Sequence, residues 1–67
     1  MRFAKMLREL RKENNWTQKQ LAEKANSTES AVRHWENDGT QPSLEMICEL
    51  AKIFEITVGQ LLGVEDY

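Results

Sequence analysis

The side chains best placed to do chemistry fall in residues 28–37, Thr-Glu-Ser-Ala-Val-Arg-His-Trp-Glu-Asn. Ala31, Val32 and Trp35 share one side at helical spacing, which leaves Ser30, Arg33, His34 and Asn37 as a complementary polar stripe. Arg33 offers a planar fork of donors, and Ser30 and His34 each donate or accept. This is recognition chemistry rather than bond-making chemistry. A structural zinc site needs about four nitrogen or sulfur ligands, whereas the chain has one histidine, His34, and one cysteine, Cys48. No nucleophile stands in a pattern with a base and an acid, so the sequence describes neither an enzyme nor a cofactor protein. Cys48 cannot form an internal disulfide. It lies among Ile47, Leu50 and Ala51 and reads as partly buried packing, and a lone thiol suits a reducing cytoplasm.

The polar stripe needs elements to hold it, and the chain reads as an all-α, compact five-helix domain over residues 1–67. A first helix over 2–13 carries Phe3, Met6, Leu7 and Leu10 at i, i+3, i+4 and i+7, with Arg2, Lys5, Glu9 and Lys12 toward water. Asn14-Asn15 ends it. Thr17 and Gln20 form a capping box for a second helix reaching about Ala25, and Trp16 with Leu21 makes a hydrophobic staple. Asn26 tolerates the left-handed conformation of a helix exit, and Thr28 caps the third helix, about Glu29 to Asn37. Ser43 caps a fourth helix over Leu44 to Phe54, with Leu44, Ile47, Leu50, Ala51 and Phe54 inward and Glu45, Glu49, Lys52 and Glu55 outward. Thr57 and Gln60 repeat the capping box, Ile56 and Leu61 repeat the staple, and the fifth helix stops near Gly63. Trp16 and Trp35 fit the core better than a base-stacking role.

Two short helices joined by a tight turn over residues 17–36 make a helix-turn-helix. The order Gln18, Ala22, Asn26, Val32, Trp35, Glu36 and then Pro42-Ser43-Leu44 resembles the phage repressor and Cro family of bacterial regulators, over nearly all 67 residues. The resemblance, not the spacing, implies double-stranded DNA as the partner. It places base contacts on Thr28, Glu29, Ser30, Arg33 and His34, at the start of a third helix lying in the major groove. Arg33 would donate two bonds to guanine O6 and N7, and Glu29 would accept from cytosine N4 when it is not simply favouring the helix N-terminus. Phosphate contacts fall on Gln18, Lys19, Arg11, Asn37, Gly39 and Thr40. The family also pairs the residues corresponding to Arg11 and Glu36, an interaction contributing about 0–1 kcal/mol if exposed. The last region commonly dimerises, which marks Leu62, Val64 and Tyr67 as interface candidates, although packing on the first helix serves them equally. Where many members have glycine and then lysine or arginine after the third helix, this chain has Asp38, Gly39 and neutral residues.

Bulk properties bound these expectations. A chain of 67 residues buries only about 60% of its unfolded surface, so its stability margin is thin. Net charge is −2, but residues 1–25 hold seven basic and three acidic side chains, whereas residues 26–67 hold two and eight. One face can therefore meet phosphates while another repels them. The apolar runs fall short of the ~18 residues of a membrane span, and the N-terminus lacks a signal-peptide core, so the expectation is a cytoplasmic protein away from membranes. The leading reading is a sequence-specific regulator acting as a homodimer on a near-palindromic operator. No small-molecule effector domain is evident in these residues. The alternative is a protein-interaction module on the same scaffold, made too acidic for DNA by Glu29, Glu36 and Asp38.

Overall fold

The computed structural model describes residues 3–37 and 40–66. Helices α1 (Phe3–Glu13), α2 (Gln18–Lys24), α3 (Glu29–Asn37), α4 (Leu44–Phe54) and α5 (Val58–Leu62) follow one another with short connections. Each contributes apolar side chains to one core. Phe3, Leu7 and Leu10 come from α1, Leu21 and Ala22 from α2, and Val32 and Trp35 from α3. Ile47, Leu50, Ala51 and Phe54 enter from α4, and Leu61 from α5. Among the described residues, no helix is long and apolar enough to cross a membrane.

Local chemistry sets the boundaries. At α2 the Gln20 amide donates to Thr17 Oγ1 at 3.0 Å, and the Thr17 amide donates to Gln20 Oε1 at 2.8 Å. The same reciprocal pair opens α5 between Thr57 and Gln60. Ser43 accepts from the Met46 amide at 3.2 Å to open α4. Exits are equally regular. Asn15, Asn26, Glu55 and Gly63 all adopt positive φ. After each, the next amide reaches back to a carbonyl five residues earlier, as Ser27 does to Ala22 at 2.8 Å and Ile56 to Ala51 at 3.0 Å. This is the Schellman closure, which satisfies carbonyls that a helix end leaves unpaired. Asparagine tolerates the left-handed conformation it requires, as expected for Asn26, and glycine adopts it freely.

Two packing expectations need correction or extension. Leu44, expected inward, is 69% exposed. It is the first residue of α4, and helical side chains lean toward the N-terminus, so this one overhangs the packed layer while Ile47 one turn on is buried. Trp16 extends beyond the expected staple: its ring lies 5.4 Å from that of Phe54, with the Lys24 ammonium 4.6 Å from its centroid on the exposed side. It thereby ties the α1–α2 connection to the end of α4. The acidic outer side of α4 is exposed as expected at Glu45, Glu49 and Glu55, with Lys52 among them, and Cys48 is half-buried.

Glu55 is the exception among the helix exits, because its φ of 58° is unfavourable for a residue with a long side chain. Left-handed backbone costs an L-residue about 1–2 kcal/mol, partly offset by the greater chain entropy a glycine loses on folding. Glu55→Gly is expected to stabilise the domain by about 0.5–1 kcal/mol, read as a higher urea midpoint at constant m-value. An unchanged or lower midpoint would show that this turn carries no such strain.

Candidate nucleic-acid interface

Helix α3 is anchored from beneath by Val32, fully buried, and Trp35, 8% exposed. Thr28 closes its first turn, its Oγ1 accepting from the Ala31 amide at 3.1 Å. The anchored side being fixed, Thr28, Glu29, Ser30, Arg33 and His34 all emerge exposed. All five expected base-contacting residues thus lie on or just before one helix, with their side chains accessible. Thr28 keeps its hydroxyl proton for an outside acceptor while its oxygen serves as the cap.

The far end of α3 is held differently. The Glu36 side chain is 1% exposed. Arg11 from α1 closes on its carboxylate as a fork, with Nε donating to Oε2 at 2.7 Å and Nη2 donating to Oε1 at 3.0 Å. Gln18, at the start of α2, adds a third donor to Oε1 through Nε2 at 3.2 Å. The remaining nitrogen, Arg11 Nη1, donates to the Trp16 carbonyl at 2.9 Å. Arg8 donates from Nη1 to the Glu36 backbone carbonyl at 3.4 Å. One residue of α3 is therefore gripped by two arginines of α1 and by the first turn of α2.

The expected ion pair is present, but it is not the exposed pair whose contribution would be small. Arg11 is only 12% exposed, and every nitrogen of its guanidinium has a protein acceptor. Its geometry is that of an internal brace, with little edge left for an outside anion. Gln18 is half-buried with one amide proton committed to Glu36, while Lys19 is exposed beside it. Asn37 and Thr40 are exposed at the other margin of α3, and Gly39 and Asp38 lie outside the described residues. Of the expected dimer residues, Leu62 is half-buried against the core and Val64 is 79% exposed. Tyr67 is outside the described residues.

Neither the Arg8 contact nor the Gln18 bond to Glu36 was anticipated. Arg8 stands three residues before Arg11, so both project from one side of α1. That spacing was the available signal for its reach to α3. The Gln18–Glu36 bond has no comparable signal, since it depends on how α2 crosses α3.

Removing one partner of a buried pair leaves an uncompensated charge, at a cost of about 3–5 kcal/mol. Arg11→Met and Glu36→Leu are each expected to destabilise by that amount. The double variant should recover most of the loss, because apolar isosteres replace the pair without stranding a charge. Chemical denaturation of the four proteins forms the cycle. Additive losses would mean that the pair is not energetically coupled.

The helix-turn-helix family model matches residues 7–61, which span α1 to α5. The HTH-type transcriptional activator BcrR of Enterococcus faecalis is 35% identical over 66 residues, covering 98% of this chain and 32% of that protein. The uncharacterized HTH-type transcriptional regulator YobD of Bacillus subtilis (strain 168) is 33% identical over 64 residues, covering 96% and 57%. The HTH-type transcriptional regulator AnsR of the same organism is 37% identical over 59 residues, covering 88% and 51%. The chain thus spans about half the length of these curated relatives, or less. No solved structure matches it. A family match over most of the chain, on a five-helix fold with this exposed third helix, places the chain in the phage repressor and Cro type of helix-turn-helix regulators.

Proposed function

We propose that the chain binds double-stranded DNA as a sequence-specific transcriptional regulator, with α3 in the major groove. The observation that carries this reading is the two-sided character of α3. Thr28, Glu29, Ser30, Arg33 and His34 are exposed, while Val32, Trp35 and Glu36 fix the opposite side. A reading helix must present its polar edge without rolling, and both ends of α3 are secured. Family membership and regulator relatives support the same partner.

On this reading Arg33 donates to guanine O6 and N7, Glu29 accepts from cytosine N4, and Thr28, Ser30 and His34 complete the base edge. Lys19, the outer proton of Gln18, and Asn37, Gly39 and Thr40 meet phosphates on the flanks. Arg11 acts indirectly by holding Glu36 and thereby α3. Such contacts position the domain, whereas base contacts specify the sequence. A homodimer would set two copies of α3 about 34 Å apart on a near-palindromic operator. Of the described interface candidates, Leu62 is half-buried and Val64 is 79% exposed, so Val64 has the more apolar surface to offer a second copy. Repression by occluding polymerase and activation by touching it use the same docking; the word activator belongs to the name of the relative BcrR.

The test is selection of retained duplexes from a randomised DNA pool at low salt. Enrichment of a two-fold symmetric motif is the expected outcome, and the half-site spacing checks the dimer. No enrichment by folded protein would overturn the reading in favour of a protein-interaction module. In the selected site, Arg33→Ala is expected to relax discrimination at one base pair by about 1–3 kcal/mol, measured by competition among single-base operator variants. Unchanged discrimination at every position would remove Arg33 as a reader.

A further inference from the structure

Arg8 and Arg11 reach the same residue of α3 from one side of α1, but they are left in different electrostatic states. The Arg11 guanidinium closes on the Glu36 carboxylate at 2.7 and 3.0 Å and gives its remaining nitrogen to the Trp16 carbonyl at 2.9 Å. Its charge is balanced, and each of its nitrogens already donates one bond. Arg8 instead donates through one nitrogen, at 3.4 Å, to the Glu36 backbone carbonyl. A carbonyl is a dipole and not an ion, so the contact orients the Arg8 guanidinium without neutralising it. A guanidinium has five N–H donors, and one long bond among the described residues leaves most of this fork for another acceptor.

The location gives that charge a use. The contact sets Arg8 at the C-terminal end of α3. Between Arg33 and Lys52 the sequence contains no lysine or arginine. The segment from α3 into α4 therefore has no lysine or arginine of its own, and Arg8 brings one to the end of α3 from α1. We infer that Arg8 is a phosphate-contacting residue, supplying from α1 the positive charge that the α3–α4 segment lacks. This rests on the DNA-binding reading above and adds a contact to it. A backbone phosphate presents two non-bridging oxygens, which the planar guanidinium can meet with two parallel bonds. Because Arg8 is bonded to the backbone of α3, a phosphate held there fixes the end of α3 opposite to Thr28 and Glu29. It sets the inclination of the reading helix and carries no base preference.

The experiment measures affinity for a fluorescently labelled duplex of mixed sequence by anisotropy over a series of salt concentrations. Arg8→Gln removes the charge but keeps a donor for the Glu36 carbonyl, and circular dichroism verifies that it folds. Lys52→Gln, on the exposed side of α4, loses the same charge elsewhere and serves as control. Losing one phosphate contact lowers the magnitude of the slope of log affinity against log salt by about 0.9 for duplex DNA. That reduction is expected for Arg8→Gln, with no change for Lys52→Gln and the parent slope retained by Arg8→Lys. A parent that binds with a normal slope, unaltered in Arg8→Gln, overturns the role of Arg8 and leaves DNA binding standing. Equal reductions in both glutamine variants also overturn it, by showing an effect of net charge alone. A folded parent with no salt-dependent binding overturns the DNA reading and this inference together.

Discussion

The orientation of α3 depends on one carboxylate buried where three helices meet. Taking the Glu36 charge out of water is unfavourable unless donors replace its hydration. Arg11 and Gln18 supply those donors, and no buried side-chain polar atom among the described residues lacks a hydrogen-bond partner. Hydrophobic burial is non-directional, so Val32 and Trp35 alone would bind α3 to the core while tolerating some roll about its axis. The forked pair is directional and adds the missing constraint. A residue that reads as a liability for DNA binding, an acid on the third helix, is instead turned inward and used to aim that helix.

Elements this short need such constraints. Helix α2 has seven residues and α5 has five, well under the ~12 at which isolated helices become marginal in water. Their persistence comes from reciprocal capping at Thr17 and Thr57, from Schellman closures at their exits, and from the burial of Leu21 and Leu61. The connections contribute too. Trp16 stands between α1 and α2, yet its ring contacts Phe54 at the end of α4 and its carbonyl accepts from Arg11. The linker preceding α2 is thus part of the same framework that holds Glu36.

The parts of this architecture governed by local rules were legible in the sequence. Thr17 with Gln20, Thr57 with Gln60, Ser43 and Thr28 each announce a helix start through hydroxyl and amide spacing, and all four cap as expected. Asn26 announces an exit by its tolerance of positive φ. Glu55 does the same job without any such announcement, because the closing bonds of α4 impose the conformation on a residue that does not prefer it. Leu44 fits the inward periodicity of α4 but fails at its end, where no preceding turn lies beneath the side chain. In the candidate site, the exposed stripe of Ser30, Arg33, His34 and Asn37 followed from the periodicity of α3, whereas the proposed base contacts and the Arg11–Glu36 pair came from the family resemblance. The burial of that pair and the recruitment of Gln18 and Arg8 did not follow, since they depend on helix crossing angles that no one-dimensional pattern contains.

On the DNA-binding reading proposed above, this arrangement also bears on how an acidic domain would engage a duplex. Of the seven basic residues in positions 1–25, Arg11 is neutralised by Glu36, so net positive charge overstates what that half can offer to phosphates. Sequence-independent affinity arises from counterion release and scales with the number of neutralised phosphates. A domain with few free cations binds random duplex weakly and loses less affinity as salt rises. Affinity for a particular site must then come from contacts to base edges, which require α3 to be held in register. Rigid presentation by the Glu36 brace and a sparse cationic margin are therefore two aspects of one solution. On that reading, charge that would attract any duplex is instead used internally, and the remaining binding would depend more strongly on sequence.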